Sequence, residues 1–493
     1  MAARLCLDNL SGIADRVAVP GYTRESLSPG IVHIGVGNFH RAHQGVYLHR
    51  LFEQGLDRDW AIIGAGLKPY DRTMRETLER QDCLTTVVEL DPRAYSAFVI
   101  GSMIDYAEVE PQSLISVLAR PEIRIVSTTV TEGGYYVDAR TGGFDRTHPD
   151  IVADAGNADA PQTVFGVLIA ALKARREAGL APFTVMSCDN LPDNGCVTRS
   201  AVLGLAGSMP GGIGRWIEDN VAFPNSMVDC ITPATGDRER QLVRDRYGIE
   251  DGAPVVCEPF RQWVLEDDFP AGRPTLERVG VTFVDDVGPY ELMKLWILNG
   301  GHAAIAYPSA LLGYELVHEA MADPTIRTFL TRLERSEILP VVPKIPGVDF
   351  DAYLTQVIGR FSNSAVGDTI PRLCLDGSNR QPKFILPTIR ARLGQGLPVD
   401  GLALEVALWC RYCAGADEAG SEIAIADENA ETLKAKALEA RGEPDAFLRM
   451  PGIFGPLADD SRFREAFAAA LRALWANGTR ATLEAYIAAT GPD

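Results

Sequence analysis

The stretch Ile31-Val-His-Ile-Gly-Val-Gly37, followed by Asn38-Phe-His-Arg-Ala-His43, decides the fold of the N-terminal half of this chain. A short apolar run that ends in glycines is typical of a buried strand, and a helix is predicted at roughly residues 42–53. Gly35 and Gly37 match two of the three glycines of a dinucleotide fingerprint, with His40 at the third position. The pattern predicts a tight turn that approaches a pyrophosphate, with an ordinary strand–helix turn as the alternative.

The same alternation continues along the N-terminal half. Further strands are predicted at residues 60–66, 123–130 and 183–188, with helices near residues 71–80 and 163–178. Two alternating runs, residues 83–90 and 97–104, predict a β-hairpin insertion. Together they predict an α/β, Rossmann-type, doubly wound and mainly parallel sheet.

The C-terminal half has a different pattern, with apolar residues at helical spacing and few strand signals. We therefore expect an all-α domain, and we divide the chain into a dinucleotide-binding domain at residues 1–286 and a helical substrate and catalytic domain at residues 287–493. The helical stretches are residues 289–299, 314–322, 324–338, 351–361, 402–415, 428–441 and 461–489.

Composition excludes several classes of protein. With 66 acidic and 47 basic residues the net charge is −19, which argues against nucleic-acid and anionic membrane partners. No run of 18 apolar residues and no signal-peptide core occurs, and the nine cysteines have no framework spacing. We expect a cytoplasmic protein with a small-molecule substrate and no metal; the sequence leaves the oligomeric state open, and a monomer is compatible with it.

One helical segment, Pro289–His302, carries a lysine, an asparagine and a histidine at i, i+5 and i+8. At about 100° per residue, Lys294, Asn299 and His302 point at about 0°, 140° and 80°, on one face. Burial on this apolar helix should lower the lysine pKa, and a neutral amine can take a proton from an alcohol. A surface lysine, a helix C-cap and a core histidine are the alternative.

Further candidates follow the predicted strands, where ligands bind in such sheets. Asn190 is a donor suited to a developing alkoxide, or else forms an Asx-turn. Glu132 would relay a proton, or is a solvated turn carboxylate. Lys68 and Asp71 stand where an acidic residue normally binds the adenosine ribose, so NADP remains an alternative to NAD. Arg41 would add charge to a bound phosphate.

Two candidate groups lie further along the chain. Asp229 lies in an apolar setting in Ser226-Met-Val-Asp229. Arg372, Arg380 and Lys383 gather three cations in a short span, which in an acidic protein suggests anion or polyol recognition; salt bridges on a loop are the alternative.

The motifs in these regions, in order along nearly the whole chain, resemble those of the mannitol dehydrogenase family, the polyol-specific long-chain dehydrogenases. The matching pieces are Gly35-Val-Gly-Asn-Phe-His-Arg-Ala-His-Gln44, Thr131-Glu-Gly-Gly-Tyr135, Cys188-Asp-Asn-Leu191, Ser226-Met-Val-Asp229, Lys294-x4-Asn299-x2-His302 and Asp376-Gly-Ser378.

The resemblance implies site roles and catalysis between the two domains without a metal. Lys294 matches the general base, Asn190 and Asn299 match the amides that hold the reacting oxygen, and His302 matches the residue that orients the substrate hydroxyls. The polyol-binding positions are Asp229, Arg372 and Arg380, and the cofactor-binding positions are Gly35, Gly37, Asn38, Phe39, Arg41, Lys68 and Asp71.

The expected reaction is reversible NAD(P)-dependent oxidation of D-mannitol to D-fructose at C2. Three positions depart from the family pattern: Arg380 replaces a lysine, Asn38 a small residue and Lys68 an acidic one. The alternatives are a hexuronate reductase acting on fructuronate or tagaturonate, an arabinitol or sorbitol dehydrogenase of the same family, and a catalytically inactive nucleotide-binding sensor.

Overall fold

The chain divides into two compact units, Met1–Gly288 and Pro289–Asp493. The structure, a computed structural model, describes residues 2–138, 141–209 and 211–491, and the side chain of Glu132 lies outside the described part. Each unit is described by itself.

The centre of the first unit is a five-stranded sheet in which every pair of neighbouring strands is parallel. The central strand Pro29–Ile34 is buried from Ile31 to Ile34, as expected where helices cover both faces of a parallel sheet. The predicted Rossmann-type sheet is thereby confirmed. Across the sheet the strands are Met103–Tyr106, Ala61–Ala65, Pro29–Ile34, Ile125–Thr128 and Thr184–Ser187.

Helices follow the strands of this sheet. The longest, Val164–Glu177, begins where the Thr163 hydroxyl accepts a hydrogen bond from Gly166 N at 3.0 Å. The α-helices of the first unit are Leu10–Ile13, Asn38–Ala42, Gln44–Glu53, Pro69–Glu79, Pro111–Leu118, Pro149–Gly156, Val164–Glu177, Asn194–Ala206, Ile213–Asn220 and Asp237–Tyr247, and its 3-10 helices are Leu7–Asn9, Arg24–Ser26, Glu132–Tyr135 and Leu276–Val279.

Three smaller sheets complete the first unit. The predicted hairpin is formed by Thr85–Glu89 and Ser96–Ile100, which are antiparallel, and Val255–Cys257 pairs with the first of them. The predicted run 97–104 spans two sheets, because the strand Met103–Tyr106, which follows Gly101-Ser102, joins the central sheet. The remaining strands are Thr282–Val284, Gln262–Glu266 and Ser226–Asp229 in one sheet, and Ala3–Arg4 with Ile249–Glu250 in another.

The second unit is helical, as predicted, around one large apolar core. Asp400–Cys413 is buried at every position after Asp400 and packs against Ser461–Asn477. The α-helices are Gly288–Met293, Gly300–Leu311, Val317–Ala322, Pro324–Leu333, Phe350–Phe361, Ile370–Cys374, Gly377–Phe384, Leu386–Gly394, Asp400–Cys413, Ala430–Ala440, Asp445–Leu448, Pro451–Phe454, Ser461–Asn477 and Thr479–Ala489, with 3-10 helices at Leu339–Val341 and Gly455–Asp459.

Two segments of this unit are π-helical: Lys294–Asn299 and Glu334–Ile338. The sequence prediction assumed α-helical rotation of about 100° per residue, and this assumption is wrong for Lys294–Asn299. In a π-helix the hydrogen bond runs to the fifth residue, so residues five apart stand about one turn apart. Asn299 is therefore expected to project closer to the direction of Lys294 than the predicted 140°.

Within residues 2–138, 141–209 and 211–491, no helix combines the length and apolar character that a membrane span requires. All nine cysteines are free, and Cys410 and Cys413 are buried on their helix.

Candidate active site

A cavity of about 780 Å³ lies at the carboxyl ends of three central strands of the first unit. Residues 34–37, 66–68 and 129–131 line it, together with the first two turns of Pro69–Glu79. Gly35 is required here: its φ is 98°, and a Cβ at this position would lie 2.2 Å from Thr129 O. Gly37 also lines the cavity, and a Cβ there would meet only Gly35 O, at 3.9 Å. This position and these glycines suit a dinucleotide.

Three other residues that were predicted to bind the cofactor, Asn38, Phe39 and Arg41, do not line the cavity. Arg41 is buried, and its guanidinium donates to Gly37 O, to Asn38 Oδ1 and to Ala253 O. Because Gly37 and Ala253 both line the cavity, Arg41 supports its wall through the backbone instead of facing into it.

Asp71 stabilises the backbone that follows Gly66. Its Oδ2 accepts hydrogen bonds from Leu67 N at 2.9 Å and Lys68 N at 2.8 Å, and burial raises its pKa. Lys68 is exposed and, like Arg240, lines the cavity. Where an acidic residue normally binds the ribose, the cavity thus presents two cations and a carboxylate that is already bonded to backbone.

Asp189 organises the loop after strand Ile125–Thr128, a role that sequence reasoning missed. Its carboxylate accepts from Val130 N at 2.9 Å, Thr131 N at 2.8 Å and the Tyr135 hydroxyl at 2.6 Å. These bonds hold Thr131 at φ 66° and ψ 162°, a conformation that costs a β-branched residue free energy. The only sequence signal was that Asp189 directly precedes Asn190. Both residues follow the neighbouring strand Thr184–Ser187, and Asn190 is exposed.

The Lys294 segment of the second unit is mostly buried. Lys294 is 7% exposed, Asn299 is half-buried, and the Asn299 Oδ1 has no hydrogen-bond partner among the described residues. The His302 ring stacks on Phe361 with 4.2 Å between centroids. A buried amine, an amide and an imidazole on one side of a helix form an arrangement suited to proton transfer from a hydroxyl.

Two of the candidate cations of this unit, Arg372 and Arg380, have partners within it. Arg372 Nε donates to Asp368 Oδ1 at 2.5 Å, and its Nη2 pairs with the other oxygen. Burial opposes ionisation of Asp368, but the hydrogen bonds and charge of Arg372 hold the Asp368 pKa below its usual value, with His302 adding to the effect. Arg380 donates to the carbonyls of Arg372 and Leu373, at 3.2 and 3.0 Å. Sequence reasoning did not find Asp368, although it stands four residues before Arg372.

The last predicted substrate residue is Asp229, which ends strand Ser226–Asp229 opposite Gln262 and is buried. Glu132, the predicted relay, has its side chain outside the described residues. Among the residues that the structure describes, no group of three or more His, Cys, Asp or Glu side chains is placed to hold a metal.

Comparisons with known proteins agree with this architecture. The Mannitol dehydrogenase Rossmann domain model matches residues 29–278, and the Mannitol dehydrogenase C-terminal domain model matches residues 286–475. A mannitol 2-dehydrogenase of Cereibacter sphaeroides is 55% identical over 475 residues, which cover 96% of this chain and 99% of that protein.

Solved structures are similar over the full length as well. The Pseudomonas fluorescens mannitol 2-dehydrogenase in ternary complex with NAD and D-mannitol is 43% identical, with a TM-score of 0.86 over 99% of this chain and 100% of that one. A substrate-free D-sorbitol dehydrogenase is 35% identical, with a TM-score of 0.90 over 97% and 100%. The two family models and the full-length relatives show that this chain belongs to the mannitol dehydrogenase family.

Proposed function

We propose that this protein is an NAD-dependent polyol dehydrogenase that interconverts D-mannitol and D-fructose at C2. The observation that carries the proposal is the full-length likeness to an enzyme solved with NAD and D-mannitol bound. We assign nucleotide binding to residues 1–286 and substrate binding and catalysis to residues 287–493, following the sequence.

The first unit fits the cofactor. Its cavity is large enough for a dinucleotide, and Gly35 and Gly37 give the backbone close approach to a pyrophosphate. When bound, NAD supplies the hydride acceptor. Lys68 and Arg240 at the cavity edge leave room for NADP as a second cofactor.

In the second unit, Lys294 Nζ accepts the proton of the C2 hydroxyl, because a buried amine is readily held neutral. The Asn299 amide donates to the same oxygen as it gains negative charge, and the wider π-helical turn supports this pairing by reducing the angle between residues five apart. His302, fixed by its stacking on Phe361, orients the neighbouring hydroxyls. Asp229, Arg372 and Arg380 are proposed to bind the remaining hydroxyls.

From the first unit, Asn190 is proposed as the second donor to the developing alkoxide. Its neighbour Asp189 fixes the strand end from which it projects, through three hydrogen bonds. Glu132 is proposed, from its place in the sequence, to pass the proton onward to solvent.

At two of the three candidate cations the contacts favour a neutral polyol over a uronate: the Arg372 charge is balanced by Asp368, and Arg380 is bonded to two carbonyls. The third, Lys383, is exposed and is the candidate partner for a uronate carboxylate. Kinetics with mannitol, sorbitol, arabinitol and mannonate, each with NAD and NADP, test this choice. We expect the highest kcat/KM for mannitol with NAD, and a preference for mannonate would overturn it.

The Lys294→Ala variant tests the mechanism. We expect kcat to fall at least 100-fold while the Kd for NAD changes less than twofold, because the general base is lost and the cofactor cavity is not. Added small primary amines should restore part of the rate. Lys436→Ala, which removes an exposed lysine paired with Glu439, is the control and should keep full activity. A Lys294→Ala enzyme with wild-type kcat would refute the assigned role.

We further propose a cytoplasmic location; the oligomeric state stays open, and a monomer is compatible with the sequence. Nine free cysteines and a net charge of −19 support a reducing compartment without membrane attachment. Cell fractionation tests the location, and light scattering of the purified protein measures the oligomeric state.

A further inference from the structure

A buried carboxyl in the second unit has no evident structural task. Glu334 begins the π-helical segment Glu334–Ile338, is 0% exposed, and neither of its oxygens has a hydrogen-bond partner among the described residues. Burial raises its pKa well above the usual value, which favours the neutral acid.

The carboxyl lies against the turn that carries the proposed proton-transfer residues. A Cβ built on Gly301 would lie 3.2 Å from Glu334 Oε1 and 3.3 Å from the Phe361 ring. Gly301 directly precedes His302, whose ring stacks on that same Phe361. The two π-helical segments, Lys294–Asn299 and Glu334–Ile338, are in contact. Glu334 therefore touches the backbone that sets the direction of His302.

The neighbouring carboxyl of Glu337 shows what a structural role looks like in the same segment. It accepts hydrogen bonds from Gly401 N at 2.6 Å and Leu402 N at 3.0 Å, and so anchors the first turn of Asp400–Cys413. Glu334 has no such bonds, and an apolar side chain of similar volume would avoid the cost of burying its carboxyl. A residue that lowers stability beside a reaction site indicates a task in the reaction.

Two further polar atoms of the contacting segment are buried without partners among the described residues: Asn299 Oδ1 and Trp296 Nε1. Buried polar groups that protein does not pair are met by internal water, which needs two to four such groups around it. The carboxyl of Glu334 supplies both a donor and acceptors to such water.

We propose that Glu334 is a positioning residue for the polyol reaction: its buried carboxyl binds internal water beside Gly301 and so holds Asn299 and His302 in their working directions. The proposal rests on the function proposed above. It assigns Glu334 no contact with substrate and no step of proton transfer.

Paired substitutions test the proposal through activity and stability together. Glu334→Leu removes the polar group, and we expect kcat/KM for mannitol to fall at least tenfold while Tm stays equal or rises. Glu334→Gln keeps polar atoms in the same place and should stay within threefold of the wild type. Glu337→Gln is the matched control, in which we expect a lower Tm and a kcat within twofold of the wild type.

If the leucine variant does not fold, the shorter acid in Glu334→Asp tests the positioning role instead. It withdraws the carboxyl from Gly301, and we expect kcat/KM to fall at least fivefold with the NAD Kd unchanged. Wild-type kcat/KM in either the leucine or the aspartate variant, or equal loss in the glutamine and leucine variants, would overturn the proposal. An inactive wild type would instead overturn the proposed function, so the two failures are distinguishable.

Discussion

The Asp189 carboxylate offers a sharp test of how the first unit builds its share of the site. It accepts two backbone hydrogen bonds and one from the Tyr135 hydroxyl, and it is almost fully buried. In Asp189→Asn one oxygen becomes an amide nitrogen. Whichever way the amide turns, this nitrogen faces either Val130 N–H or Thr131 N–H, so one buried backbone donor loses its partner.

The expected magnitude follows from these contacts. A buried donor without a partner costs about 1–3 kcal/mol. The bonds also hold Thr131 in a conformation worth about 1–3 kcal/mol of strain, which the variant supports less well. Because the two effects overlap, we expect a loss of about 2–4 kcal/mol in the free energy of unfolding. A displaced Asn190 forfeits at most the value of one oxyanion donor, so kcat should fall roughly 10- to 100-fold.

The assay combines thermal unfolding, mannitol kinetics and NAD binding. Since Val130 and Thr131 line the cofactor cavity, the Kd for NAD should also rise severalfold. Asp57→Asn is the control, because the Asp57 carboxylate holds Thr275 by two hydrogen bonds away from the cavity lining. Both bonds go to Oδ2, which the asparagine carbonyl oxygen can replace, so Tm should fall less than in Asp189→Asn and kcat should stay within twofold of the wild type. If Asp189→Asn also leaves kcat within twofold, Asp189 does not position Asn190 and the reasoning fails.

Three further changes give distinct outcomes. Lys68→Asp should raise the ratio of kcat/KM with NAD to that with NADP at least tenfold, as measured by paired kinetics; an unchanged ratio would place the ribose elsewhere. Burial raises the pKa of Glu405 to about 8, so it contributes stability that is present below pH 4.5 and lost as pH rises toward 8. Glu405→Gln should flatten Tm across that window, and an identical pH profile would contradict this. Gly301→Ala places a methyl 3.2 Å from Glu334 Oε1 and should destabilise by about 1–3 kcal/mol, whereas Gly359→Ala, with open space around it, should not destabilise; equal Tm changes would refute the contrast.

The strands of the central sheet were predictable because buried parallel strands appear as continuous apolar runs closed by glycine or polar turns. Residues 31–37 and 183–188 are such runs; the first overlaps the strand Pro29–Ile34, and the second contains the strand Thr184–Ser187. The strands Ser226–Asp229 and Gln262–Glu266 were not predicted, since short strands in a small mixed sheet carry too few residues for a periodic signal.

The candidate site residues come from the sequence, but the contacts that support them could not be predicted from it. The hydrogen bond from Thr131 N to Asp189 joins positions 58 residues apart, and no local sequence pattern predicts it. Arg41 looked like a phosphate ligand because it follows the glycines, but its bond to Ala253 O depends on a partner 212 residues away. The π-helical turn was hidden as well, because residues 295–298 between Lys294 and Asn299 are all apolar and carry no periodic signal.

The wide turn at Lys294–Asn299 has a consequence for anyone who transplants this site into a designed scaffold. In a regular α-helix, side chains five apart point about 140° from each other, so grafting the spacing Lys-x4-Asn-x2-His would place the amine and the amide at opposite edges of a wide face. The spacing Lys-x3-Asn-x2-His, one residue shorter, returns the amide to within about 40° of the amine. A design therefore has to keep the directions of the three side chains, and in an α-helix this requires a segment one residue shorter than the natural one.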